Sequence, residues 1–113
     1  MSKITIRKAG GTWTVRAGGA ILAESRNALE LTEGDYPPVI YFPREDIAMA
    51  FLDESAQTSH CPFKGDAQYY SIETKSQTIE NAAWSYEAPK PEVAQIAGHI
   101  AFYKTEKVAV ERI

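Results

Sequence analysis

The sequence predicts a small, mostly β protein, either an antiparallel β sandwich or a half-open, tent-like barrel, with one or two short helices. Short runs rich in β-branched and aromatic residues recur along the chain, and these residue types favour strands. Glycine pairs and prolines separate the runs and mark turns. A length of 113 residues suits one hydrophobic core, so we expect a single domain over residues 1–113.

The first third contains the clearest predicted hairpin. Residues 12–16 alternate polar and apolar side chains, and a glycine pair follows that can form the turn. Residues 20–23 then form the second strand of the hairpin. Residues 25–27 can turn the chain again into residues 28–31, where two leucines share a face. We therefore expect a meander of three strands.

The middle predicts one buried strand and one ambiguous segment. Residues 39–42, Val-Ile-Tyr-Phe, are dense in strand formers, and the proline and acids that follow predict one helical turn. Ile47, Met49 and Phe51 alternate as in a strand, but Ile47 and Phe51 also fit a helix, so both interpretations stay open. Residues 53–61 are polar and favour turns.

Two hairpins and a helix are predicted for the last part of the chain. Residues 69–72 pair with 78–81 through a turn at 74–77. Residues 92–97 begin with an acid and are followed by a glycine, which predicts a two-turn helix. Residues 100–103 and 108–110 then form a terminal hairpin.

Composition argues against several classes of partner. The formal net charge of -3 offers no general attraction to phosphate backbones or anionic lipid, so nucleic acid is not an expected partner. The N-terminus lacks the apolar segment of a signal peptide, and no run of about 18 apolar residues predicts a membrane span. The single cysteine cannot form an internal disulfide. These features predict a cytoplasmic protein without a membrane partner.

The segment at residues 58–65, Thr-Ser-His-Cys-Pro-Phe-Lys-Gly, is the richest in reactive groups. His60, Cys61 and Lys64 are the candidate catalytic residues, because a nearby positive charge favours the thiolate form of a cysteine. Thr58 and Gly65 are candidate ligand-binding residues at its ends. The alternative is that Cys61 is a small buried apolar side chain, with His60 on the opposite face of a strand.

Other candidate ligand-binding residues lie outside this segment. Lys64 and Gly65, at the end of the segment, can present an ammonium and a backbone N–H to an anion, and outside it Arg44 adds a second cation. Asp46 is a further candidate ligand-binding residue, and the alternative is that Arg44 and Asp46 form a local ion pair. Trp84 and Tyr86 are two residues apart, so both rings face one side of a strand, where they line either a pocket or the core.

A metal site is not predicted. His60 and Cys61 are suitable ligands, but the one other histidine is His99 and there is no second thiol. No phosphate-binding glycine pattern or dinucleotide fingerprint is present. We therefore expect neither a metal nor a cofactor.

Four segments carry a resemblance to a known family: 41–46 (YFPRED), 58–65 (TSHCPFKG), 82–86 (AAWSY) and 96–103 (IAGHIAFY). From about Val15 to Tyr103 the chain resembles the bacterial domain-of-unknown-function family 427, which implies a compact, mostly β fold and no particular reaction. A nucleotidyltransferase label is sometimes given to this family, but the paired-acid and Gly-Ser patterns expected for that activity are missing here. The fold is also similar to the tent-like folds of the methionine sulfoxide reductase B group; their zinc would be absent, since one cysteine cannot build two Cys-x-x-Cys knuckles.

These observations predict a cytoplasmic domain that binds an unknown small molecule. It would be a binding domain or an enzyme acting on an anionic or phosphate-bearing compound, with a cleft formed by residues 58–65 and with Arg44, Trp84 and Tyr86 nearby. The alternative is a non-catalytic protein-interaction module, for instance a homodimer formed through exposed strand edges.

Overall fold

The computed structural model describes residues 3–113 and contains ten strands within that range. The strands are β1 (Ile4–Lys8), β2 (Trp13–Ala17), β3 (Ala20–Ser25), β4 (Leu29–Glu33), β5 (Val39–Phe42), β6 (Leu52–Cys61), β7 (Gly65–Glu73), β8 (Thr78–Ser85), β9 (Ile100–Phe102) and β10 (Val108–Arg112). Short 3-10 segments occupy Arg44–Asp46, Met49–Phe51 and Pro91–Ile96.

The strands form two antiparallel sheets. Seven strands pair in the order β1-β4-β5-β9-β8-β7-β6, and the other three pair as β10-β2-β3. The predicted mostly β, antiparallel class is confirmed, and the sheets do not close into a barrel. In the described part of the chain, no helix has the length and apolar character needed to cross a membrane.

Several local predictions are confirmed. The glycine turn joins β2 to β3, and both of its glycines have the positive φ that a Cβ would oppose. Residues 39–42 form β5, the turn after Pro43 is the 3-10 segment Arg44–Asp46, and β7 pairs with β8 around residues 74–77. The segment at residues 47–51, for which strand and helix both stayed open, contains some of each. Ile47 forms an antiparallel β-bridge with Ala23, and Met49–Phe51 is a 3-10 turn.

The predicted meander and terminal hairpin are wrong. β3 pairs with β2, whereas β4 pairs with β1 and β5 in the other sheet. Likewise β9 lies between β5 and β8, while β10 pairs with β2. At both places the chain passes from one sheet to the other. Alternation of apolar residues shows which face of a strand is buried, but it does not show which sheet the strand joins.

Two further segments differ from expectation. Residues 53–61 belong to β6, a strand at the edge of the large sheet; most of its side chains are exposed, which explains its turn-like composition. The predicted helix at residues 92–97 is the 3-10 segment Pro91–Ile96, interrupted at Val93, whose φ and ψ are non-helical. Val93 and Ile96 are nevertheless buried, as a core-facing segment requires.

Hydrophobic side chains form two clusters, one on each face of the seven-stranded sheet. The first fills the space against the three-stranded sheet and includes Phe42, Ile72, Ile100 and Phe102. The second includes Tyr41, Tyr86, Val93, Ile96 and Ala101. Because neighbouring residues of a strand point to opposite faces, adjacent positions such as 41 and 42 serve different clusters.

Candidate ligand-binding site

The seven-stranded sheet is curled. Three strands separate β4 from β7. Neighbouring strands lie about 4.8 Å apart, so in a flat sheet β4 and β7 would be about 19 Å from each other. Lys64, in the turn between β6 and β7, nevertheless places its Nζ 2.8 Å from Oε1 of Glu33, the last residue of β4. The face that carries the second cluster is therefore concave, and this contact spans it.

Large rings stand on either side of a small residue on the concave face. Cross-strand pairing runs from Leu29 to Tyr41, from Tyr41 to Ala101, from Ala101 to Trp84, and from Trp84 to Tyr69. The rings of Tyr41 and Trp84 meet across the methyl group of Ala101, which is fully buried. The register of β5, β9 and β8 thus lines this face with aromatic rings.

A cavity of about 200 Å³ lies beside these rings, and we call it the aromatic cavity. Its lining residues are Leu31, Glu33, Tyr36, Pro37, Val39, Tyr41, Lys64, Tyr69, Trp84, Tyr86 and Tyr103. Tyr36 and Tyr103 are 70% and 44% exposed, so aromatic rings continue to the solvent-facing rim.

The ion pair of Lys64 and Glu33 is the polar part of the aromatic cavity. Their side chains are only 12% and 16% exposed. Burial lowers the pKa of Lys64, but the hydrogen bond to Glu33 and the nearby Tyr86, Cys61 and Glu33 outweigh it, so the pKa lies above its ordinary value. Lys64 is therefore an ammonium at neutral pH, and its Nζ also lies 6.0 Å from the centre of the Tyr86 ring.

The backbone around Lys64 holds this side chain in position. The amide of Lys90 donates to the carbonyl oxygen of Lys64 at 3.0 Å, which ties the turn to the segment that follows β8. Gly65 has a φ of +114°, a conformation that side-chain-bearing residues rarely adopt. Gly65 therefore acts on the site through the shape of the turn.

The rings contact one another closely. Trp84 and Tyr103 have centroids 4.4 Å apart with planes tilted by 40°, and Trp84 meets Tyr41 edge to face at 6.3 Å. The indole N–H of Trp84 donates to the Tyr41 hydroxyl at 3.3 Å. The Tyr69 hydroxyl lies 3.5 Å from that of Tyr103 and 3.0 Å from Oγ of Ser59. These contacts fix the orientation of the walls.

The phenols of Tyr41, Tyr86 and Tyr103 keep their protons at neutral pH. Burial raises the pKa of Tyr41 to about 12. Burial, followed by the hydrogen bond with Tyr69, raises the pKa of Tyr103 to about 12 as well. Burial also raises the pKa of Tyr86 above its ordinary value. The aromatic walls therefore remain uncharged at neutral pH, and the charges in the cavity are those of the ion pair.

Of the residues predicted from sequence, Lys64, Trp84 and Tyr86 line the aromatic cavity together. Cys61 lies beside it: the half-buried thiol packs against the second cluster, close enough to Tyr41 and Lys64 to influence both of their pKa values.

His60 and Thr58, two other candidates from the 58–65 segment, lie outside the aromatic cavity. His60 lies outside the cavity on the exposed end of β6, where its Nδ1 is 2.7 Å from Oδ1 of Asp66. These two side chains are 66% and 84% exposed. Thr58 is exposed on the same strand, opposite Gln68. The predicted grouping of His60 with Lys64 and the two rings does not occur.

Arg44 and Asp46 also lie outside the aromatic cavity, and their side chains pair with other residues and not with each other. Nε of Arg44 donates to the carbonyl oxygen of Gly98 at 2.7 Å, and its terminal nitrogen donates to Tyr70 and to the carboxylate of Glu87. Asp46 accepts a hydrogen bond of 2.6 Å from Ser25 Oγ, at the end of β3. Both residues tie structural elements together.

Sequence reasoning missed Glu33, Tyr41 and Tyr103. One signal was available, since Leu29, Leu31 and Glu33 occupy alternate positions and place a carboxylate on an apolar face. The partner of Glu33 comes from a turn 31 residues later, which no local pattern announces. Within residues 3–113, no three His, Cys, Asp or Glu side chains are grouped as a metal would require.

The chain is thus a two-sheet antiparallel β domain with an ion pair in an aromatic cavity. The family model described as "Domain of unknown function (DUF427)" matches residues 5–113, so the chain belongs to that family, as its four segments predicted. No curated protein matches the chain.

Proposed function

We propose that this domain binds a small planar molecule in the aromatic cavity. The observation that carries the proposal is the Lys64–Glu33 ion pair, which lies almost buried among aromatic rings in a space of about 200 Å³. A cavity of about 150 Å³ lined by apolar side chains admits benzene, so this volume suits one substituted ring or a small bicycle.

Placing charges among aromatic rings is difficult to explain by stability alone. A buried ion pair is often no more stabilising than apolar residues of the same volume, because both charges lose hydration. Polar groups converging on an aromatic-lined cavity are, in contrast, the usual composition of a small-molecule site. The exposed rings of Tyr36 and Tyr103 at the rim give a ligand a route in.

An anionic or phosphate-bearing ligand is the class expected from the sequence, and the ion pair weighs against it. The ammonium of Lys64 is neutralised by Glu33, and Arg44 is engaged with Glu87 outside the cavity. An anion would have to displace the Glu33 carboxylate. We therefore propose an uncharged planar ligand, and keep the anionic class as the alternative outcome of the same screen.

A thermal-shift screen tests the proposal. It should include uncharged heterocycles, nucleotides, sugar phosphates and carboxylic acids, each with wild-type protein and with Val39→Phe, which fills the cavity from β5. Trp13→Phe, on the three-stranded sheet, is the matched control. We expect uncharged heterocycles to raise the Tm of the wild type and of Trp13→Phe by several degrees, and to leave Val39→Phe unchanged. Stabilisation by no compound, or an equal shift in Val39→Phe, would overturn the proposal.

A homodimer is the second candidate, supported by β6. This edge strand has ten residues and exposes most of them, so its outer backbone groups are available for pairing with another strand. Light scattering over a concentration series tests it: a mass near 25 kDa, twice the 12.5 kDa of one chain, supports a dimer, and a constant monomer rejects it.

We further propose that the domain works in the cytoplasm and without nucleic acid. The net charge of -3 and the single cysteine support this setting. Cell fractionation tests the location. A filter-binding assay with mixed DNA and RNA at low salt tests whether the protein binds nucleic acid. Retention of nucleic acid would contradict it.

A further inference from the structure

The Lys64–Glu33 pair leaves hydrogen-bonding capacity toward the aromatic cavity. An ammonium has three N–H donors, and a carboxylate has two acceptor oxygens. Within residues 3–113, each of these charged groups makes one hydrogen bond, and it is the bond between Nζ and Oε1. Because both residues line the cavity, a bound molecule can meet a donor and an acceptor side by side.

The charge balance of the pair selects against ions. The pair has no net charge, and both groups are largely withdrawn from water. A net anion would satisfy Lys64 but approach the Glu33 carboxylate, and a net cation would do the reverse. A neutral molecule with its own donor beside its own acceptor satisfies both groups without adding a charge.

The walls select for a flat shape. The rings of Trp84 and Tyr103 pack against each other and both line the cavity, and the indole N–H of Trp84 already donates to the Tyr41 hydroxyl. Trp84 therefore contributes its ring surface, and it does not compete for the polar edge of a ligand.

We propose that the aromatic cavity recognises a neutral planar heterocycle with a lactam-type edge, in which a ring N–H adjoins a carbonyl group. The N–H donates to the Glu33 carboxylate, the carbonyl oxygen accepts from Lys64, and the ring packs against Trp84 and Tyr103. This inference rests on the proposed function and specifies its ligand class.

Four compounds separate the possibilities: 2-pyridone, N-methyl-2-pyridone, toluene and benzoate. The first has the complete lactam edge, the second lacks the N–H, the third has no polar edge, and the fourth is an anion. Binding is followed by NMR of the two indole N–H signals. Trp84 reports on the cavity, and Trp13, which donates to the carbonyl of Gly10, is the internal control.

We expect 2-pyridone to shift the Trp84 signal and leave that of Trp13 in place. N-methyl-2-pyridone should bind about tenfold more weakly or worse, because the Glu33 carboxylate then loses its new donor. In the double variant Glu33→Met/Lys64→Met, which removes both charges at once, toluene should bind at least as tightly as 2-pyridone. Thermal unfolding of this variant establishes that it is folded, and the comparison of the two pyridones in wild-type protein does not depend on it.

Each contrary result has a defined meaning. If 2-pyridone, its N-methyl derivative and toluene shift Trp84 with similar affinity, the lactam inference is wrong and the planar-ligand function stands. If benzoate binds most tightly, the inference is again wrong and the ligand is an anion. If none of the four compounds moves the Trp84 signal, the proposed function itself fails.

Discussion

The two faces of the seven-stranded sheet are built from alternate residues of the same strands, yet they are packed differently. On one face, Phe42 is fully buried and meets Phe102 edge to face at 6.0 Å, against the three-stranded sheet. On the other, Tyr41 lines a cavity.

The difference follows from what covers each face. A second sheet supplies a continuous surface of apolar side chains, and two packed sheets leave little space between them. The concave face is covered by the 3-10 segment Pro91–Ile96, Tyr86 and the turn bearing Lys64. These elements cover it partially, and polar groups reach the remaining space. One face is thus packed against a second sheet, and the other keeps the aromatic cavity in which we propose that a ligand binds.

The largest effect is expected from Phe42→Ala, on the packed face. It removes a fully buried ring and should lower the free energy of unfolding by about 3–5 kcal/mol. Urea denaturation measures this. A loss below about 1 kcal/mol would mean that this face is loosely packed and that the contrast between the two faces is wrong.

The next effect concerns alkaline pH and Tyr41. Its pKa in the folded protein is about 12 against 10.0 unperturbed, so its contribution to stability is complete below pH 10 and is lost as the pH rises through 12. Across this window the wild type should lose about 2–3 kcal/mol more than Tyr41→Phe, which has no phenol to ionise at this position. Denaturation at pH 9, 10, 11 and 12 gives the two curves. Parallel curves would show that Tyr41 is not held in a buried environment.

A smaller effect is expected from Lys64→Met, on the concave face. It leaves the Glu33 carboxylate without its partner and should lower the free energy of unfolding by about 1–2 kcal/mol. Adding Glu33→Met should recover most of that loss, because no unpaired charge remains. Equal instability of the single and double variants would indicate that Lys64 acts through packing of its hydrocarbon stem.

The smallest effect is expected from His60→Ala. The side chains of His60 and Asp66 are both exposed, and ion pairs between exposed side chains contribute little to stability. Stability should change by less than about 0.5 kcal/mol, and the Trp84 indole signal should respond to 2-pyridone as in the wild type. A loss of that response would connect His60 to the cavity after all.

Local patterns predicted much of this arrangement. The spacing of Trp84 and Tyr86 predicted rings on one side, and both line the cavity. The adjacent residues Tyr69 and Tyr70 of β7 follow the same alternation and belong to different clusters. Patterns of this kind are predictable because alternation is a property of a single strand.

Relations between distant segments were not predictable in this way. Glu33 and Lys64 meet because the sheet curls, and curvature arises from the pairing of many strands. Arg44 follows β5 directly but engages Tyr70 and Glu87, away from the cavity. The composition of residues 58–65 suggested one cleft, but His60 lies exposed on β6, whereas Lys64 points inward from the turn that follows that strand.

A crystal structure of the protein soaked with 2-pyridone tests the central claim most directly. We expect density for one ring against Trp84 and Tyr103, with its polar edge within hydrogen-bond distance of Glu33 and Lys64, and none between the two sheets. A structure in which the side chains of Tyr36 and Tyr103 fold inward and fill the space, leaving no room for the ring, would contradict the account.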